Sequence, residues 1–415
     1  MANKTIVIGA GVIGAASALA LQRNGHNVIL VDKVEPCSGA SFGNAGAIVN
    51  GSCVPTATPN ILFDVISMFG QKHSPLSIKL SYLHKAFPWL LRFILQGRSS
   101  KFNQNAAHLY ALSKHAVSSW RLLTDKMALS SLFRESGWLK VYESENTFSK
   151  TSLSRELFDK MGTKYELLDA DGIRELEPNL SPIYKHGFYQ KDCLSVINPQ
   201  RLVDGMVKQL VAHGGQYHQF GVEEIKLEGN KVSLKGINGS ISVNKVVIAT
   251  GAWSHHLAKQ LGDNIPLDTE RGYHMMLPSS SANLLNRPVV NGESSFVLSP
   301  MEAGLRMTSQ VELAGLKAEP NYNRMRCLLP LAKTMLPKLE LREESVWMGF
   351  RPSLPDSLPV IGYSSRSNSV LYAFGHQHLG MTLGAVTGLL VSDMLSGSVP
   401  RVDIEPYRAT RFNRL

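Results

Sequence analysis

The chain has 415 residues, which is more than one hydrophobic core usually supports, so we expect two closely connected domains. Hydrophobic residues make up 44% of the sequence and glycine occurs 34 times, which indicates a globular protein. The formal net charge of +10 would suit nucleic acid, an acidic substrate or an anionic membrane. Because the basic residues are dispersed over most of the sequence, a solvated surface is favoured and no nucleic-acid partner is expected.

The four cysteines, Cys37, Cys53, Cys193 and Cys327, are far apart, and the sequence contains no C-x-x-C pair. This spacing argues against a redox disulfide and against a zinc site built from cysteine pairs. We therefore expect reduced thiols and a cytoplasmic location.

The first motif, in residues 5–32, predicts a nucleotide-binding β-α-β unit. After an apolar strand, Gly9, Gly11 and Gly14 fall in the spacing G-x-G-x-x-G, and small apolar residues follow at helical spacing. Such glycines permit a tight turn, close approach to a pyrophosphate and close helix packing. A second apolar strand ends in Asp32, about 20 residues further on, where a carboxylate can bind ribose hydroxyls. The acid disfavours NADP, but the motif leaves NAD and FAD open.

The same stretch has an alternative interpretation. Residues 5–22 carry no charge and follow Lys4, as in a signal peptide or a membrane-spanning segment. The glycine spacing and the second strand ending in an acid belong to a β-α-β unit and have no role in a signal peptide. The nucleotide-binding interpretation is therefore favoured.

The loop in residues 37–51 is rich in serine, asparagine and glycine. Such residues can present backbone N–H groups and side-chain donors to phosphate or ring oxygens. Because this loop follows the ribose-binding acid, contact with the cofactor is favoured over a plain surface loop.

Residues 55–98 contain apolar patches interrupted by Pro75 and Pro88. The last patch combines large apolar side chains with basic ones: Lys85, Phe87, Trp89, Leu90, Arg92, Phe93, Ile94 and Arg98. It is too short to span a bilayer, but it suits a helix lying on a membrane surface. A helix packed on the core, or an active-site lid, is the alternative.

The remaining elements follow from periodicity and caps. Helices are predicted at residues 101–130, 151–161 and 323–335, after Asn198 and Pro199, and after the Gly375 to Gly380 loop. Strands are predicted at residues 138–142, 232–234, 245–250 and 271–278, around Val222, and as a hairpin turning at residues 300–304. The strand at residues 245–250 is expected to join the first sheet.

Together these motifs resemble the D-amino acid oxidase superfamily of FAD-dependent oxidoreductases, and more closely its D-amino acid dehydrogenase small-subunit group. The matching positions are Gly9, Gly11, Gly14, Asp32, Ser41, Asn44-Ala45-Gly46, Asn198-Pro199, Arg201-Leu202, Ala249-Thr250-Gly251-Ala252-Trp253, Arg271-Gly272-Tyr273, Gly349, Arg351-Pro352, Pro355-Asp356, Gly375-His376 and Leu379-Gly380. The ordered set spans nearly the whole chain, which makes it far more specific than any single member.

The resemblance implies an α/β protein with a Rossmann-like FAD-binding domain and a discontinuous, mixed-sheet α+β substrate domain. Residues 1–54, 193–263 and 344–415 are assigned to the FAD-binding domain. Residues 55–192 and 264–343 are assigned to the substrate domain.

The resemblance also implies one FAD as cofactor. A second G-x-G-x-x-G motif is absent, so no separate NAD(P)H domain is expected. The C-terminal cysteine to which sarcosine oxidases attach their flavin is also absent, which predicts non-covalent FAD. The expected cofactor contacts are Gly9, Gly11, Val12, Ile13, Gly14, Asp32, Lys33, Ser41, Asn44, Ala45, Gly46, Val222, Thr250, Gly251, Trp253, Gly349, Gly375, His376, Leu379, Gly380, Met381 and Thr382.

Three residues form the implied carboxylate site. Arg351 is the expected anchor, since a guanidinium grips a carboxylate through two parallel hydrogen bonds. By resemblance, Tyr273 is a pocket wall and a hydrogen-bond donor to the same carboxylate. Arg271 is a further candidate, although related dehydrogenases also carry lysine there. A structural ion pair is the alternative for Arg351.

The loop from His376 to Thr382 resembles the family's loop under the flavin pyrimidine, where backbone N–H groups and a helix dipole stabilise negative charge. Gln377 and His378 depart from the glycine and threonine of the dehydrogenases, which predicts a different pocket floor. His376 and His378 lack the further ligands that a metal site needs, so no metal is expected. His274 is either a base or polar wall, or a structural histidine.

The implied activity is that of an FAD-dependent D-amino acid dehydrogenase acting on CH-NH2 or CH-NH donors. Hydride passes from Cα to flavin N5, and the electrons then pass to a quinone or another non-oxygen acceptor. The imino acid product hydrolyses to a 2-oxo acid. Cyclic imino acids, such as D-proline or hydroxy-D-proline, stay open as substrates.

Two other functions stay open. One is a glycine or sarcosine type of amine oxidase that uses oxygen. The other is a flavin-bearing docking subunit of a membrane electron-transfer complex, with other subunits as partners. The expected location is cytoplasmic, and peripheral attachment to the inner face of the membrane is left open.

Overall fold

The computed structural model describes residues 4–61 and 76–413. Its strands are β1 (Lys4–Ile8), β2 (Asn27–Asp32), β3 (Ala47–Ile48), β4 (Leu76–Ile78), β5 (Phe133–Arg134), β6 (Trp138–Tyr142), β7 (Glu166–Leu168), β8 (His186–Gln190), β9 (Leu194–Val196), β10 (Gln216–Gln219), β11 (Val222–Glu228), β12 (Lys231–Gly236), β13 (Gly239–Val243), β14 (Lys245–Ile248), β15 (Asp268–Leu277), β16 (Val289–Asn291), β17 (Phe296–Met301), β18 (Gly304–Leu313), β19 (Ser345–Ser353), β20 (Val360–Ser364) and β21 (Ser367–Phe374).

The α-helices are α1 (Val12–Arg23), α2 (Leu83–Gln96), α3 (Ser99–Ser113), α4 (Ala116–Leu123), α5 (Glu145–Ser149), α6 (Ser152–Met161), α7 (Ala170–Leu176), α8 (Pro199–Ala212), α9 (Ser254–Gln260), α10 (Asn323–Arg326), α11 (Leu329–Met335) and α12 (Gly380–Leu395). Short 3-10 turns lie at Leu80–Tyr82, Ser130–Leu132, Gly251–Trp253, Ser279–Leu284, Glu405–Tyr407 and Ala409–Phe412.

The first sheet has six strands in the order β10-β2-β1-β14-β21-β20. All neighbours are parallel except β20 and β21. The near-continuous apolar runs of β1, β2 and β14 suit this arrangement, since parallel strands are covered on both faces. The predicted β-α-β unit is therefore confirmed, as is the entry of residues 245–248 into the same sheet.

Helices α1 and α12 pack closely beside this sheet, within one buried core cluster. A Cβ at Gly388 of α12 would lie 2.7 Å from the Ala16 carbonyl carbon of α1, so glycine is needed for this approach. Helix α8 also follows its predicted cap, because Asn198 Oδ1 accepts a 3.0 Å hydrogen bond from Arg201 N and Pro199 opens the helix.

The predicted single helix at residues 101–130 is wrong, since this stretch forms the two helices α3 and α4. The chain turns at Lys114 and His115 between them. After this turn, α4 buries Trp120 completely, and the indole Nε1 donates a 2.8 Å hydrogen bond to Met381 O. Helical periodicity continues across the turn, which is why the sequence pattern did not reveal it.

The largest sheet has nine strands, in the order β19-β15-β18-β17-β16-β6-β8-β7 with β4 paired to β18. It is mixed, because β6 with β16 and β4 with β18 are parallel pairs and the other neighbours are antiparallel. Its strands come from residues 76–190 and 268–353. The domain boundaries stay a prediction. Strand β19 hydrogen-bonds in the nine-stranded sheet, although residues 344–415 were assigned to the FAD-binding domain.

Two smaller sheets complete the fold: β11, β12 and β13 form one, and β3, β9 and β5 form the other. Within residues 4–61 and 76–413, no helix is both long and apolar enough to cross a bilayer. Pro75 and the rest of the apolar stretch at residues 62–75 lie outside the described residues.

Candidate active site

The turn between β1 and α1 has space only for glycine at two positions. Gly9 has φ +104°, and a Cβ there would lie 2.4 Å from Ala249 O. A Cβ at Gly14 would lie 1.7 Å from Gly9 O. These contacts bring the first turn of α1, whose N–H groups have no partners within the helix, close to the carboxyl ends of β1 and β14.

Two side chains from later in the chain bind the same turn. Asp32 Oδ2 accepts a 2.6 Å hydrogen bond from Ala10 N, and Ser41 Oγ accepts a 2.9 Å hydrogen bond from Val12 N. A Cβ at Gly11 would lie 3.2 Å from Ser41 Oγ, so this side of the turn is also closely packed. The structure thus brings together the predicted glycines, the acid and the serine, in a form that suits a dinucleotide.

A second group of predicted cofactor residues lies beside the end of β2. The Lys33 Nζ lies 4.3 Å from the centroid of the Trp253 ring. Trp253 belongs to the 3-10 turn after Thr250, whose Oγ1 is 3.0 Å from Ser254 Oγ. Gly251 has φ +56°, as a tight turn requires. Val222 begins β11, two residues after the Phe220 N to Asp32 O hydrogen bond.

Arg306 of β18 fixes the loop at residues 42–46. Its Nη1 donates hydrogen bonds of 2.8 Å to Phe42 O and 2.7 Å to Asn44 O. Burial lowers the pKa of Arg306 to about 10, so the group stays cationic at neutral pH. Asn44 Oδ1 accepts a 2.8 Å hydrogen bond from Gly46 N, which closes the turn around Ala45. Sequence reasoning missed Arg306, since nothing local distinguishes it within β18.

The His376 loop lies between the ends of β21 and α12. His376 is buried, and its Nε2 lies 2.9 Å from Thr387 Oγ1. Burial lowers its pKa to about 3, so the ring is neutral at pH 7. Gln377 N donates a 3.0 Å hydrogen bond to Pro352 O, and a Cβ at Gly375 would lie 2.4 Å from the Leu354 side chain. The loop is therefore packed on the residues that follow Arg351.

The start of α12 is held beside the small sheet that contains β3. Leu379 is the residue before the helix, and Gly380 and Met381 form its first turn. Thr382 Oγ1 accepts a 3.2 Å hydrogen bond from Val49 N and lies 3.3 Å from Ala47 O. The predicted loop and the serine- and asparagine-rich loop thus come from distant parts of the chain to one region.

Arg351 lies on one face of the β15 and β19 pair. The register sets Arg351 opposite Glu270 and Gly349 opposite Gly272, on the same face. Its guanidinium lies over Gly272, where a Cβ would be 2.3 Å from Cζ, and its Nη1 donates a 2.8 Å hydrogen bond to Gln310 O. Burial lowers the pKa of Arg351 and Glu270 raises it. The two glycines thus leave room for a half-buried guanidinium.

Trp347 fills the other end of this face, and the sequence pattern did not single it out. A Cβ at Gly43 would lie 2.0 Å from its Cζ3, and a Cβ at Gly349 would lie 2.0 Å from its Cη2. Its indole stacks on the buried His274 ring at 5.3 Å and meets Phe42 edge-on at 5.7 Å. The indole therefore connects the Arg306-bound loop to the sheet.

The pKa of His274 is lowered to about 3, mainly by burial and further by Arg306, while a hydrogen bond with the Gly43 backbone opposes this shift. Its Nδ1 has no hydrogen-bond partner among the described residues. The ring is neutral at pH 7 and is a poor base. Of the two interpretations left open by sequence, the structural one fits these contacts better.

Arg271 and Tyr273 point to the opposite face of β15, because side chains alternate along a strand. The Tyr273 hydroxyl donates a 2.5 Å hydrogen bond to Glu312 Oε2 and accepts one of 3.1 Å from Asn321 N. Arg271 is fully buried, and its Nε donates a 2.8 Å hydrogen bond to Gly315 O. The structure does not bring either side chain to Arg351, and their predicted roles remain untested.

His378 has an accessible side chain that is nevertheless closely surrounded by protein atoms. Burial is the largest cause that lowers its pKa to about 4, and the charges of Arg351 and Lys140 lower it further. The ring is therefore neutral at pH 7. Within residues 4–61 and 76–413, no group of three or more histidine, cysteine, aspartate or glutamate residues could hold a metal ion.

The parallel sheet, the glycine turn and the acid at the end of β2 define a dinucleotide-binding protein. Residues 4–394 match the family model described as "DAO: FAD dependent oxidoreductase". The chain belongs to this family, and its cofactor is FAD. The predicted family, fold class and cofactor are confirmed.

One relative, a D-amino-acid oxidase from Bradyrhizobium diazoefficiens, is 35% identical over 414 residues, which cover 98% of each chain. Among solved structures, the glycine oxidase of Geobacillus kaustophilus is 21% identical, with a TM-score of 0.73 and 99% of each chain covered. The L-proline dehydrogenase of P. horikoshii is 18% identical, with a TM-score of 0.75; the match covers 100% of this chain and 98% of that one. At these identities the two solved structures support the fold alone.

Proposed function

We propose that the chain is an FAD-dependent D-amino acid dehydrogenase. The observation that carries this proposal is the Arg351 guanidinium, which lies over Gly272 on the sheet face that also holds Trp347 against the loop at residues 42–46. A guanidinium in a partly desolvated site binds a carboxylate strongly and in a defined orientation. The full-length relative named as a D-amino-acid oxidase supports an amino acid with D configuration as substrate.

Arg351 binds the substrate carboxylate and orients Cα. Its Nη1 is held by Gln310 O, which leaves its other donors for the carboxylate. The neighbouring Glu270 is buried; burial raises the pKa of its carboxyl, and the Arg351 charge opposes this shift. The sheet face above Gly272 and the packed Trp347 exclude water from the reacting carbon.

FAD, when bound, supplies the acceptor for the hydride from Cα. The residues proposed to hold it are the glycine turn, Asp32, Ser41, the Trp253 region and the start of α12. After loss of the hydride from Cα and of one proton from the ammonium group to solvent, the substrate leaves as an imino acid, which water converts to a 2-oxo acid, with release of ammonia where the amine is primary. Burial raises the pKa of the Cys37 and Cys193 thiols to about 12, so these thiols are not nucleophilic, and this supports non-covalent attachment.

The substrate class is tested by adding D-amino acids, L-amino acids, glycine, sarcosine and cyclic imino acids to the FAD-loaded protein without oxygen. We expect D-amino acids or cyclic D-imino acids to bleach the flavin absorbance. Bleaching by L-amino acids or by glycine alone would overturn the proposed substrate. Arg351→Met, with Arg326→Met as a control for an exposed arginine, tests whether bleaching depends on the anchor.

An oxygen-using amine oxidase is the second candidate, since the 35% identical relative is named as an oxidase. Oxygen consumption and peroxide formation during turnover, compared with the rate on a soluble quinone, separate the two functions. We expect the quinone rate to exceed the oxygen rate at least tenfold. Peroxide formed in proportion to substrate at the full rate would establish the oxidase.

We further propose that the electron acceptor lies in an anionic membrane and that α2 contacts this surface. Five large apolar side chains are exposed on and just before α2, four of them at spacings of four residues: Leu80, Leu83, Phe87, Leu91 and Leu95. Basic residues flank them: Lys79, Lys85, Arg92 and Arg98. An apolar helical stripe bordered by cations suits the headgroup region of an anionic bilayer.

The opposite side of α2 is anchored to the fold. Ala86 and Trp89 are buried, and Trp89 Nε1 donates a 3.3 Å hydrogen bond to Ser353 O, two residues after Arg351. Phe87, in contrast, is 61% exposed. The helix thus connects the proposed membrane-facing stripe to the strand that carries the proposed anchor. A helix packed on the core and a helix lying on a membrane surface, the two alternatives for this segment, are therefore compatible.

Co-sedimentation of the FAD-loaded protein with phosphatidylglycerol and phosphatidylcholine vesicles tests this surface. We expect binding that falls at least tenfold in Phe87→Glu/Leu91→Glu and is unchanged in the control Ile237→Glu, a residue exposed on another surface. Absence of vesicle binding, or equal loss in both variants, would overturn the proposal. If a second copy of the chain covers this stripe instead, the protein should be a dimer that Phe87→Glu/Leu91→Glu dissociates. Docking-subunit function is favoured if vesicles bind and no substrate bleaches the flavin.

A further inference from the structure

A cavity of about 570 Å³ lies between α2, the start of β15 and the turn after β18, and we call it the α2 cavity. Its walls are mainly apolar and include Pro88, Trp89, Leu267 and Leu316. Sites for small organic molecules have volumes of this order and walls of this kind, with a few polar groups that fix the orientation of the ligand. The α2 cavity is therefore a candidate binding site.

Two aromatic rings of the α2 cavity are held in fixed positions. Trp89 Nε1 donates a 3.3 Å hydrogen bond to Ser353 O. The Tyr82 hydroxyl donates a 2.8 Å hydrogen bond to Asp268 Oδ1, and a Cβ at Gly315 would lie 2.5 Å from the Tyr82 ring. The aromatic surface is thus formed before any ligand binds, which suits a flat ring.

Thr269 adds an unpartnered hydroxyl to the wall of the α2 cavity. The residue is only 3% exposed, and its Oγ1 has no hydrogen-bond partner among the described residues. A buried hydroxyl without a partner costs free energy, and a ligand with an acceptor atom removes this cost. The wall therefore favours a ligand that accepts a hydrogen bond at this point.

The solvent border of the α2 cavity is basic. Lys85, His256 and Lys317 are exposed there, and Arg92 is partly exposed. These side chains supply further hydrogen-bond donors. Lys85 and Arg92 also flank the exposed apolar stripe of α2, so the cavity adjoins the proposed membrane contact. A ligand that enters from a bilayer would meet apolar walls between donors at the border and a donor in the interior.

The α2 cavity also adjoins residues proposed to hold FAD. Ala252 lines it and directly precedes Trp253. Thr269 pairs in register with Pro352, whose carbonyl accepts a 3.0 Å hydrogen bond from Gln377 N in the loop before α12. The cavity thus lies between the cofactor-binding elements and the membrane-facing helix.

We propose that the α2 cavity binds the ring of a quinone, which accepts the electrons taken from the substrate. A quinone is a flat and largely apolar ring with two carbonyl oxygens that accept hydrogen bonds. Thr269 Oγ1 donates to one carbonyl, and a basic side chain at the border donates to the other. This inference rests on the proposed function and gives its electron acceptor a site.

The substrate and the quinone occupy separate places. Side chains alternate along β15, so Thr269 and Glu270 point to opposite faces, and Arg351 pairs with Glu270. The electron count also balances. The hydride from Cα carries two electrons and one proton, and the ammonium group releases one proton to solvent. The quinone takes up two electrons and two protons, one of them from solvent, and becomes a quinol.

Titration calorimetry of the FAD-loaded, oxidised protein with decylubiquinone tests the site directly. Thr269→Val should raise the Kd roughly 3- to 10-fold, as for the loss of one hydrogen bond, and Thr269→Ser should retain most of the affinity. Because valine replaces an unpartnered hydroxyl by a methyl group, the melting temperature should not fall. A hydroxyl that served only the fold would give the reverse pattern.

A second variant, Leu316→Trp, fills the α2 cavity at a half-buried position and should weaken binding at least tenfold. The controls are Leu227→Trp, at an exposed leucine of β11, and Ser113→Ala, which removes another buried hydroxyl that has no partner among the described residues. Reoxidation of the substrate-reduced flavin by decylubiquinone should slow in Thr269→Val and more in Leu316→Trp. Bleaching by the substrate measures the other half of the reaction and should change less than twofold in both.

The outcomes separate this inference from the proposed function. No quinone binding by the parent protein, or an equal Kd in the parent, Thr269→Val and Leu316→Trp, would overturn the inference. The oxidation of D-amino acids would stand if substrate still bleached the flavin. Dihexanoyl phosphatidylglycerol that displaces the quinone would assign the cavity to a lipid headgroup and would also overturn the inference. If no D-amino acid bleaches the flavin, the proposed function is wrong, whereas the Kd on the oxidised protein still tests the cavity.

Discussion

The two faces of the β15 and β19 pair use arginine differently. On one face, Arg351 is half-buried and donates one hydrogen bond, to Gln310 O, with Glu270 beside it. On the other face, Arg271 is fully buried, donates to two backbone carbonyls, and has Glu312 at 3.7 Å. The two arginines thus differ in burial and in the number of their protein partners, although Arg271 Nη2 also lacks a hydrogen-bond partner among the described residues. Burial of an arginine alone does not identify a substrate anchor.

The largest expected effect is on stability, from Arg271→Met. The variant leaves the Gly315 and Glu319 carbonyls without their donor and the Glu312 carboxylate without its cation. Breaking a buried pair in this way costs about 3 to 5 kcal/mol of unfolding free energy. Denaturant unfolding of the FAD-loaded protein measures the loss, and kcat/KM of the folded fraction should stay within about threefold of the parent.

If Arg271→Met does not fold, Arg271→Lys provides the test, because lysine keeps the charge but not the fork geometry. We expect intermediate stability and near-normal kcat/KM. Normal stability together with lost activity would place Arg271 in the substrate site and would break the distinction between the two faces.

Arg351→Met should have the opposite profile. Loss of the anchor should lower kcat/KM by about 2 to 5 kcal/mol in transition-state free energy, through both KM and kcat. The Arg351→Met variant loses the hydrogen bond to Gln310 O and the positive charge beside the buried Glu270, so its melting temperature should fall, but less than that of Arg271→Met. Steady-state kinetics and thermal unfolding measure both quantities, and Arg326→Met is the control. A variant with unchanged kinetics would remove Arg351 from the site.

Tyr273→Phe tests whether the Tyr273 hydroxyl, on the same face as Arg271, serves stability alone. The change removes the hydroxyl from between Glu312 Oε2 and Asn321 N, which leaves the buried Glu312 carboxylate and the part-buried Asn321 N–H with one partner fewer each. The expected cost is about 1 to 3 kcal/mol of unfolding free energy. Since the hydroxyl lies away from Arg351, KM should change less than twofold. A large rise in KM without loss of stability would restore the predicted contact of Tyr273 with the carboxylate.

The sequence predicts the β1-α1-β2 unit correctly because this unit is local in sequence. Gly9, Gly14 and Asp32 lie within one β-α-β unit, and their spacing alone describes the turn and the acid. Their contacts in the structure follow this pattern closely. Ser41 was also predicted, because its loop follows the acid directly.

The substrate end depends on register, which the sequence does not show. Arg271 and Tyr273 were grouped with Arg351 by their motifs, yet the pairing of Arg351 with Glu270 puts Gly272 and His274 on its face instead. A bulge in β18 further shifts the pairing near Arg271.

Two buried histidines of the site region make stability depend on pH. His274 and His376 have pKa values lowered to about 3, mainly by burial, so the native state does not take up their protons near neutral pH. The unfolded state takes them up below its own pKa of about 6.5. Stability is therefore fully present above that pH and is lost as pH falls from about 6.5 towards 3, by up to about 1.4 kcal/mol per pH unit for each histidine.

Unfolding free energies at pH 7, 6 and 5, at constant excess FAD, measure this slope. His274→Gln should lower the slope of unfolding free energy against pH, because the unfolded variant takes up one proton fewer. His218→Gln, at an exposed histidine, is the control and should leave the slope unchanged. An unchanged slope in His274→Gln would mean that the native ring titrates near its ordinary pKa. The ring between Trp347 and the loop at residues 42–46 would then be open to water, and the active face would be less dry than its packing indicates.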